Sequence, residues 1–233
     1  MCSLVVAMAA FAAGEKPQPR VVTPGNGSLP PSDAIVLFDG RSVDGWTSAN
    51  GQPPKCRAIN GELVCRTGDG DLTSKEKFLD AQIHIEFQIP YMPNQKGQMR
   101  GNSGVFLQNC YEMQLLDGYE NPTYADGMLG ALYGFSAPMV NASRRPIEWQ
   151  SYDLLFRAPR CETPGKLSKP GKVTAFLNGI LVLDGVEITK LGPGCLNTGI
   201  CDPGPLRLQD HSGFKDAPDT TMKFRNIWVR RLE

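Results

Sequence analysis

The chain has 233 residues, with 24 Lys and Arg against 24 Asp and Glu. A formal charge of zero gives no electrostatic case for a polyanionic partner, so neither nucleic acid nor an anionic membrane is an expected ligand. The composition, 41% hydrophobic and 21% charged with 25 Gly and 19 Pro, excludes a disordered or fibrous chain and suits one turn-rich all-β domain.

Leu4 to Ala13 is the one strongly apolar run, and at roughly ten residues it is too short for a bilayer, which takes about 20. With Ala10-Phe11-Ala12 near its end, it reads as the core of a signal peptide over residues 1–13; a short buried strand is the other reading. The mature protein is therefore expected to be secreted or periplasmic. Residues 14–34 carry Pro17, Pro19, Pro24, Pro30 and Pro31 and read as a disordered linker. From residue 35 to 233 short apolar or alternating runs recur between Gly, Pro, Asn and Asp clusters. They are Ile35–Phe38, Cys56–Ile59, Glu62–Arg66, Gln82–Ile89, Gly104–Cys110, Tyr111–Leu116, Ser151–Arg157, Lys172–Asn178, Ile180–Leu183, Leu206–His211 and Met222–Arg231. No window offers an amphipathic helix of ten or more residues. Many short strands without a repeat predict a single β-sandwich or barrel.

Six cysteines follow the signal, an even number that favours disulfides in an exported chain. Asn60-Gly61 is a strong hairpin signal, and a two-residue turn there puts Cys56 opposite Cys65 on a non-hydrogen-bonded rung, close enough to bridge. Cys195 and Cys201 flank a short Gly-containing loop and are expected to close on each other, leaving Cys110 with Cys161. If the chain is not exported, all six are buried thiols.

Alternation assigns faces. Ile83, Ile85 and Phe87 oppose His84, Glu86 and Gln88; Met113 and Leu115 oppose Glu112 and Gln114; Leu206 and Leu208 oppose Arg207, Gln209 and His211. The plain expectation is apolar side to the core and polar side to water. The polar sides nevertheless gather carboxylates, amides, Arg and one of only two histidines, a set suited to gripping sugar hydroxyls. Trp149, Tyr133, Tyr111 and Trp46 are candidate stacking surfaces, with Trp46 and Trp228 expected in the core. Neither a Gly-x-Ser-x-Gly elbow nor a phosphate-binding loop occurs.

The stretches Ile35-Val36-Leu37-Phe38-Asp39-Gly40, Asp44-Gly45-Trp46, Gly101-Asn102-Ser103-Gly104-Val105-Phe106-Leu107, Tyr111-Glu112-Met113-Gln114-Leu115-Leu116-Asp117 and Gly130-Ala131-Leu132-Tyr133-Gly134, followed by Glu148-Trp149-Gln150, Phe176-Leu177-Asn178-Gly179, Leu208-Gln209-Asp210-His211 and Phe224-Arg225-Asn226-Ile227, resemble in order the 3-keto-disaccharide hydrolase domain family. The resemblance spans residues 35–233. It implies a two-sheet antiparallel β-sandwich, a jelly roll of the concanavalin A-like lectin/glucanase type, with the glycan on a concave face. Gln150 and Gln108 depart from the family pattern and bear on its sugar contacts.

The resemblance also implies a chemistry. A carbonyl at C3 acidifies the C2 proton, the glycosidic oxygen leaves C1 by elimination, and water adds to the enone. His211 suits the base, since an unperturbed imidazole titrates at about 6.5. Glu112 and Asp117 can act as acid, second base or metal ligand, and Asn102 or Arg225 as the group that steadies the enolate. Gln114, Tyr133, Trp149, Gln209 and Glu86 complete the expected substrate contacts. Glu112-x-Gln114-x-x-Asp117 also resembles the Glu-x-Asp-x-x-Glu signature of retaining glucanases on the same fold, so double displacement by Glu112 and Asp117 is one alternative and a non-catalytic glycan-binding module another. Glu86, Glu112 and Asp117 would suit calcium or another hard ion, but no compact Asp-x-Asp-x-Asp loop occurs, so no metal or other cofactor is expected. A separate oxidoreductase making the keto-sugar is the expected partner beside the carbohydrate itself.

Overall fold

A computed structural model describes residues 18–26, 29–197, 199–213 and 220–232. The expected signal peptide lies outside them. Among the described residues the chain forms fifteen strands, three one-turn 3-10 helices and no α-helix. The strands are β1 (Ile35–Phe38), β2 (Trp46–Ser48), β3 (Arg57–Ile59), β4 (Glu62–Arg66), β5 (Leu72–Phe78), β6 (Ala81–Gln88), β7 (Ser103–Leu107), β8 (Tyr111–Leu115), β9 (Trp149–Arg157), β10 (Arg160–Thr163), β11 (Lys166–Lys169), β12 (Gly171–Leu177), β13 (Ile180–Ile188), β14 (Gly204–Leu208) and β15 (Thr221–Arg231).

Their pairing is antiparallel throughout. One sheet runs β13-β12-β9-β6-β15-β4-β3 with β1 added on β15, a second runs β2-β5-β14-β7-β8, and β10-β11 form a separate hairpin. Turn chemistry sets the reversals. Asn60-Gly61 and Asn178-Gly179 take the paired left-handed conformations, with φ of 51° and 82° and of 54° and 80°, that match the twist of a hairpin. The two sheets meet over one core. Ile83, Ile85 and Phe87 of β6 and Tyr152, Leu154 and Phe156 of β9 share a cluster with Val105, Leu107, Met113, Leu115, Leu206 and Leu208 of the smaller sheet. The architecture is the all-β, two-sheet antiparallel sandwich that the strand pattern and the resemblance led us to expect.

The structure corrects several local expectations. The expected run Gly104–Cys110 ends early, at Leu107, because Gln108 and Asn109 are both left-handed, at φ 51° and 59°, where a tight turn makes a hairpin of β7 and β8. No glycine marked it. β5 was not anticipated because Lys75-Glu76-Lys77 interrupts its alternation, and its pairing with β14 shifts register there. On β15 the register shifts between Arg225 and Trp228, with Asn226 at φ 48°. This bulge turns Ile227 inward and leaves Trp228 buried but stacked on His84, on the outer face of the larger sheet. Trp46 lies in the core as expected.

Cys56 and Cys65 are bridged, with a Cα separation of 4.5 Å, where the Asn60-Gly61 hairpin puts them. The other two bridges are Cys110–Cys195 and Cys161–Cys201, not the pairs expected from proximity. The segment between β13 and β14 crosses from one neighbour to another. Leu196 donates its N–H to Asn109 O at the β7–β8 turn, whereas Cys201 reaches the β10–β11 hairpin. Three disulfides suit an oxidising compartment, and no helix among the described residues is long and apolar enough to cross a membrane. In the stretch before β1, Ser32 N–H bonds Thr23 O and Asp33 pairs with Arg20 and Arg230.

Candidate active site

Three neighbouring strands of the smaller sheet carry a row of side chains away from the core. Cross-strand register sets Arg207 of β14 beside Phe106 of β7, and Phe106 beside Glu112 of β8; one step along, Gly104 faces Gln114. The guanidinium of Arg207 lies 3.6 Å above the Phe106 ring, and its Nη1 donates to Asp71 Oδ2 at 2.5 Å. Asp71 Oδ1 accepts the Asp210 N–H, so the same carboxylate holds the start of the turn that bears His211.

These outward side chains are not given to water. Glu112, Gln114 and Arg207 are 6%, 1% and 4% exposed, because loops fold over the sheet. Residues 128–136 run along the free edge of β8, with Gln114 N–H on Ala131 O and Tyr133 N–H on Glu112 O. Tyr152 pins that edge through the sandwich. Its hydroxyl donates to Gln114 O at 2.6 Å and accepts from Gly130 N–H at 2.8 Å. A second loop brings the one-turn helix Gly97–Met99, whose Gln98 links Asn102, Gln114, Thr123 and Gly127.

Between the loops lies an open cleft of about 660 Å³ lined by Gln98, Met99, Asn102, Phe106, Glu112, Gln114, Tyr124, Tyr133, Pro193, Gly194, Gln209 and His211. Tyr124 and Tyr133 join hydroxyls at 2.8 Å. The side-chain oxygens of Gln114 and Gln209 are buried there without a protein partner, acceptors of the kind a sugar hydroxyl satisfies. Glu112 is housed by an absence, since a Cβ on Gly104 would come within 2.1 Å of its Oε1.

The cleft separates the protonation states of Glu112 and His211. Burial pushes the Glu112 carboxyl up to about 8, Asp71 adding to the rise and Arg207 opposing it. Burial moves His211 the other way, below its ordinary value, against the pull of Asp210. Near neutral pH a protonated carboxylic acid and an unprotonated imidazole thus line one cavity, a donor and an acceptor of protons.

Of the residues singled out in the sequence, the fold gathers Asn102, Glu112, Gln114, Tyr133, Gln209 and His211 into this cleft. Asp117 is not among them. It ends the strand in an ion pair with Arg100 (2.9 Å) and lines a second cleft. Glu86, Arg225 and Trp149 lie on the outer face of the larger sheet, away from the cleft. Glu86 accepts from Arg225 Nε and Asn226 Nδ2, and Arg225 sits 4.0 Å over the Trp149 ring. Gln108 and Gln150 do not reach this cleft either. Gln108 donates to Asp202 O beside its turn, and Gln150 accepts from Arg144 N–H and Asn178 Nδ2. Among the described residues no three His, Cys, Asp or Glu side chains converge as metal ligands would. Arg207 was visible in the alternation but not selected; Gln98 and Tyr124 stand on 3-10 turns that no periodicity announces.

Comparison with known proteins shows the family of the chain. A family profile described as the 3-keto-alpha-glucoside-1,2-lyase-like domain matches residues 33–230. A candidate glycosyl hydrolase from Parabacteroides distasonis is similar over 97% of this chain and 100% of its own, at 37% identity and a TM-score of 0.84. A second from the same organism shares the fold at 19% identity and a TM-score of 0.66, over 86% of this chain and 94% of its own. No curated protein sequence matches. One expectation is overturned: an oxidoreductase role has no place in a hydrolase-type family assignment, and that partner is withdrawn. The chain belongs to the 3-keto-alpha-glucoside-1,2-lyase-like domain family and is a carbohydrate-acting enzyme.

Proposed function

We propose that the protein, exported by its N-terminal signal, cleaves 3-keto-glycosides by elimination followed by hydration. His211 takes the C2 proton, and the electron pair moves onto the C3 carbonyl oxygen as an enolate. As the enolate collapses, the C1–O bond breaks and Glu112 gives its proton to the departing glycosidic oxygen. The product is an enone with a C1–C2 double bond. Water then adds at C1, its proton restores Glu112, and the proton on His211 returns to C2, so the net change is addition of one water. The Tyr124–Tyr133 pair, whose mutual bond uses only one of its two hydroxyl hydrogens, is the donor in the cleft wall that can meet the enolate, whereas both Nδ2 hydrogens of Asn102 are given to Gln98.

One observation carries this reading: a carboxyl held protonated and an imidazole held neutral line the same cleft. Double displacement instead needs two carboxyls about 5–5.5 Å apart, and Glu112 is the only carboxylate among the described residues lining the cleft. The test is to incubate the purified chain with a 3-keto-disaccharide and with its unoxidised parent and follow the release of reducing sugar. Cleavage of the keto form alone is expected. Cleavage of the parent would replace this mechanism by direct hydrolysis, and binding without cleavage of either would make the domain a lectin-like module.

A further inference from the structure

Beside the catalytic cleft lies another, open and about 720 Å³ in volume, lined by Tyr91, Arg100, Asp117, Tyr119, Arg145 and Ile147 among others. The two clefts share a wall. Gln98, Met99 and Asn102 face the first and Arg100 the second, while β8 supplies Gln114 to one and continues to Asp117 in the other. We infer that this second cleft is a subsite for a further, uncharged sugar unit of a longer glycan whose reacting unit occupies the first.

The lining fits that ligand. Tyr91 and Ile147 are 66% and 63% exposed, apolar surface of the kind that the C–H face of a pyranose covers. Around them stand two guanidinium groups and two carboxylates, Arg100 and Arg145 against Asp117 and Glu120. Their charges balance, which disfavours an ionic ligand. Guanidinium only donates and carboxylate only accepts, so a sugar hydroxyl, which does both, can be satisfied on each side. The groups are held in place: Arg100 Nε pairs with Asp117 Oδ2, Arg100 Nη2 donates to Tyr119 O, and Arg145 lies 5.3 Å over the Tyr119 ring.

Ile147 is the second independent sign. It is β-branched yet held at φ 63°, a conformation such residues rarely adopt. Hydrogen bonds from its N–H to Ile89 O and from Gln88 Nε2 to its own carbonyl keep it there. The backbone is thus kept in an unfavourable state that presents an apolar side chain to solvent at the cleft, a cost that packing does not explain.

The subsite rests on the reading of the first cleft as sugar-binding but not on its keto chemistry, so the test uses unoxidised glycans. Affinities for α-linked gluco-oligosaccharides of two, three and four units are measured by titration calorimetry or NMR. Binding is expected to tighten about three- to tenfold beyond two units. Tyr91→Ala and Ile147→Gly should each remove that gain, and Ile147→Gly should do so with an equal or higher melting temperature, since glycine accepts the left-handed backbone. Glu112→Gln should keep the gain. Equal affinity for all lengths, or a gain that survives both cleft variants, overturns the subsite. A length gain in a chain that leaves 3-keto-disaccharide intact would keep the subsite and remove the elimination mechanism.

Discussion

Gly104→Ala isolates the position of one carboxyl. The added methyl would lie 2.1 Å from Glu112 Oε1, 2.8 Å from its Cδ and 2.9 Å from its Cγ, while Gly104 itself has no left-handed φ to lose. The atoms in the way belong to the end of a flexible side chain, so Glu112 moves and the strand stays. Alanine gains about 0.5–1 kcal/mol over glycine in a strand, set against a similar cost for rehousing the carboxyl. The net change in stability should stay within about 1 kcal/mol, or no more than about 4 °C in Tm. Catalysis is less tolerant. Displacing a proton donor by about 1 Å costs on the order of 100-fold, about 2.7 kcal/mol of barrier. The assay is kcat/KM for a 3-keto-disaccharide alongside thermal unfolding. In a Glu112→Ala background the methyl has nothing to strike, so the double variant should match the single one. A folded Gly104→Ala protein with undiminished kcat/KM would refute the role of Glu112 as the acid.

The rate should follow a bell-shaped pH profile, rising as His211 loses its proton below 6.5 and falling near 8 as Glu112 ionises, and Glu112→Gln should abolish the falling limb in a kcat/KM titration. Because the Glu112 carboxyl titrates higher in the folded chain than its ordinary 4.5, the folded state holds the extra proton between the two values. Wild-type stability should therefore fall as pH rises from about 4.5 to 8, and chemical denaturation should show Glu112→Gln gaining on wild type across that window. Replacing Cys110 and Cys195 together by Ser should cost more than replacing Cys56 and Cys65. The bridges span 85 and 9 residues, which loop-closure entropy makes about 4.6 against about 2.6 kcal/mol; equal losses by urea unfolding would contradict that ranking. Tyr152→Phe leaves the Gly130 N–H and Gln114 C=O without their buried partner. It should cost about 1–3 kcal/mol and raise KM by loosening the edge that carries Tyr133; an unchanged KM would separate that edge from binding.

Strand identity was legible wherever alternation was uninterrupted. β6 reads Ile83-x-Ile85-x-Phe87 and takes that face to the core, and the Asn60-Gly61 turn sets the rung on which Cys56 meets Cys65. The pattern failed where the backbone breaks period two. The bulge at Arg225-Asn226 reverses the parity of Trp228, and the Gln108-Asn109 turn carries no glycine to mark it. Two of the three disulfides lay beyond reach because their partners are brought together by a loop crossing, a contact that sequence distance does not encode.

The candidate site divides in the same way. The sequence alone determined which residues leave the core side of the strands whose alternation is unbroken, because side chains alternate with a period of two, and it thereby placed Glu112 with Gln114 and Gln209 with His211. It did not distinguish the outer face of one sheet from that of the other. Only tertiary structure decided that Glu86, Arg225 and Trp149 stand apart from them, and that Asp117 pairs with Arg100 in a neighbouring cleft. It also decided the acid–base character of the cleft. A carboxyl titrating near 8 and a depressed imidazole lining one cleft are a consequence of desolvation. Desolvation here comes from loops at residues 97–102, 124–136 and 193–194 folding over the sheet, which no pattern local to the strands records.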